Sequence, residues 1–258
     1  MADPTFVLQD AHPALAGQVI GYCGYVEDEP APVRRREPAG TRVPIILSFG
    51  DPLTVTEGAG EPTAVTSFVA GFSDLWAVTE HGGRQHGVQV DLTPLGAHRL
   101  LGVPPVEVAG AVVPIDDLWG RPGESLVDRL ASLSDWPSRF TLLDEVLLRR
   151  AAAGPDAHPA VVWAWRQLEG SDGGVPIGVL ADEIGWSRRH FVDRFRRHVG
   201  LAPKPAARVL RFARAHALLT SGGRSISDVA ARSGYADQSH LVRECRRLAG
   251  CTPSELLP

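Results

Sequence analysis

Two stretches of this sequence carry the same pattern: Ala181-Asp182-Glu183-Ile184-Gly185-Trp186 and Ala230-Ala231-Arg232-Ser233-Gly234-Tyr235. An arginine-rich segment follows each stretch, and Arg196 in the first lies 50 residues before Arg246 in the second. A short helix, a glycine turn and a basic helix together make a helix-turn-helix unit. Two units at a fixed separation predict contact with two neighbouring segments of one DNA groove. The paired arginine-rich segments are Phe195-Arg196-Arg197-His198-Val199-Gly200-Leu201-Ala202-Pro203 and Cys245-Arg246-Arg247-Leu248-Ala249-Gly250-Cys251-Thr252-Pro253.

The sequence after residue 155 has the apolar spacing of helices. Ile177, Leu180, Ala181 and Ile184 follow the i, i+3, i+4, i+7 pattern of one buried helix face. A connecting helix is predicted from about residue 205 to 220. Three side chains are placed to cap the helices that follow them: Ser187, Ser225 and Asp237.

Composition indicates a globular protein of ordinary kind. The chain has 258 residues, enough for two domains, and is 44% hydrophobic and 22% charged, which excludes disordered and fibrous classes. No apolar run approaches the ~18 residues of a membrane-spanning helix, and residues 1–5 lack the pattern of a secretion signal. Cys23, Cys245 and Cys251 show no metal-ligand spacing and suit a reducing compartment. We therefore expect a cytoplasmic protein without membrane contact.

The charge is distributed unevenly along the chain. Residues 156–258 hold 15 Lys and Arg against 10 Asp and Glu, a net charge of +5. The first 155 residues hold 11 Lys and Arg against 20 Asp and Glu, a net charge of −9. The two parts sum to the formal net charge of −4 of the whole chain. A basic C-terminal part on an acidic body is typical of a protein whose C-terminal part alone meets phosphate.

The first 120 residues predict short strands and turns. Residues 43–49, 53–56, 63–72 and 87–92 are rich in β-branched and aromatic residues or alternate between apolar and polar, and glycine and proline separate them. Strands of this length and spacing indicate a small barrel or sandwich.

Helical spacing then replaces the strand pattern. A short helix is predicted at 95–101, and longer ones at 124–133 and 139–153, with Ser134 or Ser138 as a cap. Gly154-Pro155-Asp156 breaks the pattern and marks a boundary. The predicted fold class is therefore α+β, in three parts: a β-rich sensor at 1–120, a helical dimerisation segment at 121–154 and an all-α DNA-binding domain at 155–258.

The C-terminal repeat resembles the double helix-turn-helix domain of the AraC/XylS family of transcription regulators, over about 100 residues. The resemblance implies a sequence-specific DNA-binding regulator that is not an enzyme and uses neither a cofactor nor a metal. The matching residues in the first unit are Leu180-Ala181, Gly185-Trp186-Ser187, Arg189-His190-Phe191, Arg194-Phe195-Arg196-Arg197, Gly200 and Pro203. In the second unit they are Ile226, Ala230, Gly234-Tyr235, Asp237-Gln238-Ser239-His240-Leu241, Arg243, Gly250 and Pro253-Ser254-Glu255.

The resemblance also implies which side chains meet double-stranded DNA. A recognition helix in the major groove offers its N-terminal end and its outer face to the base edges, where Arg reads guanine and Gln reads adenine. Arg197 and Arg247, farther along, are expected to meet phosphate. The contact residues of the first unit are Ser187, Arg188, Arg189, Val192, Asp193, Arg196 and Arg197. Those of the second are Gln238, Ser239, His240, Val242, Arg243, Arg246 and Arg247.

Two positions depart from the family pattern. Asp193 occupies a surface where the family usually has a neutral or basic residue, so it either accepts from cytosine N4 or repels phosphate. Cys245 stands where the family packs a large aromatic side chain, matched by Phe195 in the first unit. We expect Cys245 to be a small core residue and not a reactive thiol.

The N-terminal half is similar to the sensor and dimerisation arrangement of the same family. That similarity implies a cupin-like barrel that holds a small-molecule effector, helices that pair two copies into a homodimer, and RNA polymerase as a further partner. The candidate residues of the effector pocket, which also fit a plain apolar core, are Tyr22, Tyr25, Phe49, Phe68, Phe72, Trp76 and Val90.

Two alternatives to the effector barrel remain open. In one, the N-terminal half only oligomerises and binds no effector. In the other, it is an enzyme or a metal-binding cupin, for which His81, His86 and Asp91 are the candidate ligands and Cys23 a candidate alkyl acceptor. The spacing of a cupin metal site is missing, and no neighbouring cysteine forms a zinc thiolate with Cys23.

Overall fold

The computed structural model of the protein describes residues 5–257. Its N-terminal half contains two antiparallel sheets, so the predicted α+β fold with a β-rich first half is confirmed. The larger sheet has the order β1-β2-β9-β4-β7-β10 and the smaller the order β3-β8-β5-β6. The strands are β1 (Thr5–Gln9), β2 (Val19–Asp28), β3 (Val33–Glu37), β4 (Val43–Ser48), β5 (Leu53–Glu57), β6 (Thr63–Val65), β7 (Phe68–Ala70), β8 (Ala77–His81), β9 (Arg84–Leu92) and β10 (Val112–Pro114).

The two central strands of the larger sheet supply most of its core. β4 and β9 run antiparallel, with Ile45 opposite Val90. Alternate β9 residues from Val88 to Leu92 are fully buried, as the alternation of a half-buried strand requires. A second, smaller cluster joins the two sheets through Val55 and Phe68.

Residues 63–72 do not form the single strand that their composition predicts. The segment divides into β6, in the smaller sheet, and β7, in the larger. Ser67 lies at the division, and its hydroxyl accepts a hydrogen bond from the backbone N–H of Ser48 at 2.9 Å. This contact fixes the chain at the end of β4 and turns it from one sheet to the other.

Four helices complete the N-terminal half, and their apolar sides cover the larger sheet. Tyr22 on β2 stacks on Phe140 and donates a hydrogen bond to Asp144 at 2.7 Å. The cap of the last of these helices is Asp135, which accepts from the N–H of Ser138, so neither predicted serine is the cap. Asp135 is preferred because its carboxylate reaches the free N–H groups of the first turn. The helices are α1 (Pro94–Leu100), α2 (Ile115–Trp119), α3 (Arg121–Ser132) and α4 (Trp136–Ala153).

The C-terminal half is helical throughout, as predicted. The three predicted caps are confirmed, because Ser187, Ser225 and Asp237 each accept a hydrogen bond from the backbone N–H three residues later. The helices are α5 (Pro159–Gly170), α6 (Ile177–Ile184), α7 (Arg188–Val199), α8 (Pro203–Thr220), α9 (Ile226–Arg232) and α10 (Gln238–Leu248).

One buried cluster runs through both halves of the molecule. Phe72, after β7, meets Trp165 of α5 edge to face, with ring centroids 6.0 Å apart. The predicted boundary at residues 154–156 lies in the connection from α4 to α5. No helix within residues 5–257 combines the length and the apolar composition needed to cross a bilayer.

Candidate nucleic-acid interface

The first helix-turn-helix unit consists of α6 and α7. Gly185 ends α6 in the left-handed conformation, with φ of 74°, which favours glycine and turns the chain sharply. Phe191 and Phe195 are fully buried on the inner side of α7. Their burial fixes the rotation of α7 about its axis and thereby decides which side chains point outward.

The second unit, α9 and α10, repeats this construction with a lighter core. Gly234 has a φ of 71° at the turn, and Leu241 and Cys245 are fully buried on the inner side of α10. Burial raises the pKa of the Cys245 thiol to about 12, so it remains protonated at neutral pH. The burial of Cys245 is that of a small core residue.

The outer faces of α7 and α10 correspond position by position. Asp193 and Arg243 are both exposed, and so are the pairs that follow, Arg196 with Arg246 and Arg197 with Arg247. Val192 and Val242 are both half-buried. All fourteen predicted DNA-contact residues lie on the two helices or at the cap Ser187, in two matching rows. Their contacts with DNA stay a prediction.

A single long helix, α8, joins the two units. Val209 and Phe212 of α8 are fully buried, and Arg211 donates to the Gly173 carbonyl oxygen at 2.9 Å, next to the start of the first unit. Arg208 lies 3.9 Å from Glu244 of α10. Because α8 contacts both units, it holds the two recognition helices in one relative position.

The N-terminal half reaches the second unit through Asp74. Its carboxylate accepts from Arg247 of α10 at 2.8 Å and from Arg208 of α8 at 3.1 Å. Arg247, predicted to meet phosphate, is therefore paired with an acid that lies 173 residues earlier in the chain. Sequence reasoning missed Asp74, and no local pattern marks it.

The N-terminal half also borders the first recognition helix. A groove of about 340 Å³ separates the outer face of the second half of α7 from a short turn of 3-10 helix at Pro105–Glu107. DNA bound along this face of α7 therefore comes close to the 3-10 turn at Pro105–Glu107. The groove is lined by Pro104, Val106, Glu107, Asp193, Arg196 and Arg197.

Two buried histidines meet at the contact between α1 and α7. Nδ1 of His198 lies 3.0 Å from Nε2 of His98, a hydrogen-bond distance, although the residues are 100 positions apart. Burial lowers the pKa of His98, with a smaller contribution from Arg197, while a hydrogen bond with the backbone of Asp156 acts in the opposite direction. The pair is thus a neutral contact between the two halves.

The pKa of His198 is lowered to about 4, first by burial and then by His98, Arg194, His158 and Arg197. Folded His198 stays neutral at pH values where the unfolded chain, with a pKa near 6.5, already binds a proton. We therefore expect its contribution to stability to be complete above about pH 6.5 and to decline as the pH falls towards 4. The loss is up to about 3 kcal/mol, at ~1.4 kcal/mol per pKa unit.

The measurement is the free energy of unfolding in urea at about pH 7 and about pH 5. His198→Gln should remove part of the difference between the two pH values. His190→Gln, an exposed histidine on the same helix, is the control and should leave the difference unchanged. Equal pH dependence in His198→Gln and the wild type contradicts the prediction.

Removing Asp74 should strengthen DNA binding. In Asp74→Ala, Arg247 loses its carboxylate partner and is free to meet a phosphate. We expect up to ~5-fold tighter binding, because an exposed ion pair contributes at most about 1 kcal/mol, and a salt slope steeper by about 0.9. Asp51→Ala, which removes a partner of Arg84 in the N-terminal half, is the matched control. Weaker binding by Asp74→Ala contradicts this prediction.

The seven residues predicted for an effector pocket lie in different surroundings. Tyr22 and Phe49 face α4, and Phe68 packs between the sheets. Phe72 contacts α5, and Trp76 approaches Gly250 beyond α10. Tyr25 and Val90 lie on neighbouring strands, and Val90 is buried. None of the seven lines the groove beside α7.

The histidines considered as metal ligands do not converge. His81 is buried and lies 3.8 Å from Glu27, which Arg35 also contacts. His86 instead packs against the rings of Phe49 and Trp136. Within residues 5–257, no group of three or more His, Cys, Asp or Glu side chains is arranged to hold a metal ion.

Comparison with known proteins supports the geometry of the two units. A family model described as "Helix-turn-helix domain" matches residues 180–257, which extend from α6 beyond the end of α10. Residues 180–257 form an AraC-type helix-turn-helix domain. The resemblance of the C-terminal repeat is thereby confirmed.

A shorter stretch of the chain is similar in sequence to a curated relative. The virulence regulon transcriptional activator VirF of Yersinia enterocolitica is 34% identical over 82 residues, which are 32% of this chain and 30% of VirF. The match therefore spans less than a third of that protein.

The similarity in fold extends beyond the AraC-type domain. ToxT of Vibrio cholerae aligns over 92% of this chain and 98% of its own, with a TM-score of 0.55 and 10% identity. A structure described as unsaturated fatty acid bound wild-type ToxT aligns over 91% and 94%, with a TM-score of 0.50 and 12% identity. At these identities the likeness shows a shared fold, β-rich first and helical afterwards.

Proposed function

We propose that this protein is a sequence-specific DNA-binding transcription regulator. The observation that carries the proposal is the pair of recognition-type helices, α7 and α10, with matching outer faces held by α8. Eleven of the fourteen contact positions carry exposed polar or charged side chains, such as Arg189 and Gln238. Arginine and glutamine side chains are those that read base edges in the major groove.

The proposal includes the organisation predicted above. Residues 1–120 form a sensor for a small-molecule effector, residues 121–154 a helical segment and residues 155–258 the DNA-binding domain. The protein acts in the cytoplasm as a homodimer, performs no catalysis, and meets RNA polymerase at the promoter. Support for a sensor comes from two contacts made by the N-terminal half. His98 meets His198 of the first unit, and Asp74 meets Arg247 of the second. Both offer a physical route from the N-terminal half to the DNA.

One observation favours a second candidate for the N-terminal half. The aromatic residues predicted for the barrel pocket pack against α4, between the sheets and against the C-terminal half. An N-terminal half packed in this way can support the two helix-turn-helix units without binding an effector, which is the second candidate. In α4, Phe140, Leu143 and Leu147 are buried within the protomer, so these side chains are not free to pair two copies.

The experiment is binding of the purified protein to the DNA upstream of its own gene, measured across a salt series. A random duplex of the same length is the control. We expect a specific complex whose affinity falls steeply with salt, since each phosphate contact releases counterions. Equal and weak binding to both duplexes at every salt concentration overturns the proposal for this DNA region.

A further inference from the structure

A cleft of about 560 Å³ lies between α1, α3 and α4 and contains none of the fourteen DNA-contact residues. Its walls combine apolar side chains with four arginines. The volume is within the range of small-molecule sites. The arginines are Arg99, Arg129, Arg149 and Arg150, and the apolar lining includes Leu100, Pro122, Leu126, Val146, Ala153 and Pro155.

Arg150 is a partly buried cation of the cleft. Its guanidinium stacks on Trp119, 4.1 Å from the ring centroid, and donates to the carbonyl oxygens of Leu100 at 2.6 Å and Leu101 at 3.0 Å. These bonds use part of its five N–H groups. Among residues 5–257 no carboxylate lies within 4.0 Å of it. A partly buried charge without a counter-ion is costly, and burial lowers the pKa of this arginine.

The other three arginines increase the positive charge. Arg129 and Arg149 are exposed, and in the described part of the chain neither side chain has an ion-pair partner. Arg99 alone is neutralised, by Asp156, and its Nε also donates to the Ala151 carbonyl oxygen. Helix capping therefore accounts for Arg99 and Arg150 but not for Arg129 and Arg149.

We propose that this cleft binds an organic carboxylate with an apolar body, the carboxylate against the arginines and the body against Leu126 and Val146. Arginine matches a carboxylate with two parallel hydrogen bonds, and an anion offsets the repulsion among the three guanidinium groups that lack an ion-pair partner among the described residues, those of Arg129, Arg149 and Arg150. The aliphatic lining favours an organic anion over a small inorganic one, because the apolar body of an organic anion removes this apolar surface from water and an inorganic ion does not.

The cleft adjoins the connection between the two halves. Ala153, Gly154 and Pro155 line it, and a Cβ at residue 154 would overlap the Arg99 carbonyl oxygen, so this connection packs directly on α1. A ligand here contacts the start of the path to α5. Its role as the effector of DNA binding rests on the function proposed above.

The test is calorimetric titration of the full-length protein with 4-phenylbutanoate. The neutral analogue 4-phenylbutanol and inorganic phosphate separate the contributions of the charge and of the apolar body. We expect saturable binding of the carboxylate that is at least ~10-fold tighter than that of either comparison ligand, the loss expected when a charge-assisted pair or an apolar contact is missing. Equal binding of the alcohol, or no saturable binding of the carboxylate, overturns the site.

The variant for this test is Arg129→Gln with Arg149→Gln, since both side chains are exposed and make no contact that folding requires. It should weaken carboxylate binding by ~10-fold or more. Arg121→Gln, an exposed arginine of α3 outside the cleft, is the matched control and should bind as the wild type does. Unchanged affinity in the double variant also overturns the site.

A second measurement separates the site from its regulatory role. DNA affinity is compared with and without 4-phenylbutanoate, in the wild type and in the double variant. A change in the wild type alone supports regulation through the cleft. Calorimetric binding without any change in DNA affinity overturns the regulatory role and leaves the site standing. The calorimetry itself uses no DNA, so its result does not depend on the proposed function.

Discussion

Arg243→Ala is expected to weaken binding to the specific DNA site by roughly 1–3 kcal/mol, the contribution of one good base contact. Arg243 is exposed on the outer face of α10, and capping of this helix by Asp237 fixes its start. The loss should be confined to one base position, so that changing this base pair in the DNA costs the variant much less than it costs the wild type. Competition binding with a panel of single-base substitutions measures this.

Arg197→Ala is the comparison variant. As a phosphate contact, Arg197 should contribute to every duplex equally, and its loss should reduce the salt slope by about one unit. If both variants bind every duplex as the wild type does, the assignment of α7 and α10 as recognition helices is wrong. The position equivalent to Arg243 in the first unit is Asp193, so the two helices should read different bases.

Phe195→Ala is expected to lower the free energy of unfolding by about 3–5 kcal/mol, which is the cost of a large cavity in a packed core. Phe195 is fully buried, and its ring contacts Phe191 at 5.7 Å and Trp165 at 6.3 Å between centroids. The cavity also removes the support that sets the rotation of α7, so we expect specific DNA binding to decline with stability. Urea unfolding followed by circular dichroism provides the measurement.

Cys245→Ala is a matched control at the equivalent position of the second unit. Cys245 is also fully buried, but the change removes a single sulfur, so we expect a loss of roughly 1 kcal/mol. If both variants lose a similar free energy of unfolding, the side chains around residue 195 have moved to fill the cavity. That outcome contradicts the rigid packing inferred for α7.

The local features of the C-terminal half could be predicted from sequence because they depend on neighbouring residues. The three caps bond to N–H groups three residues away, and the glycines at 185 and 234 supply the positive φ of each turn. Helical periodicity also explains why Phe191 and Phe195 are buried while Arg196 and Arg197 are exposed. Strand was predicted for 63–72 and is present, but its division into β6 and β7 was not predicted, because the break at Ser67 depends on Ser48, on another strand.

Of the candidate site, the sequence predicted only the residues that lie on the two recognition helices. The fourteen contact residues follow from helix geometry and from the family resemblance, whereas the predicted effector residues were chosen by type alone. Aromatic type does not say whether a side chain packs between sheets, as Phe68 does, or against another part of the chain, as Phe72 does. The cleft of arginines was missed because its members come from three separate helices.

By itself, the sequence determined the two helix-turn-helix units and their outer faces, since hydrogen bonds and apolar spacing within a few residues specify them. Only the tertiary structure decided that Asp74 pairs with Arg247 and that His98 meets His198. These partners are 100 or more residues apart. Residue patterns along a chain record which surfaces are apolar or charged, but which two surfaces meet depends on the packing of the whole molecule.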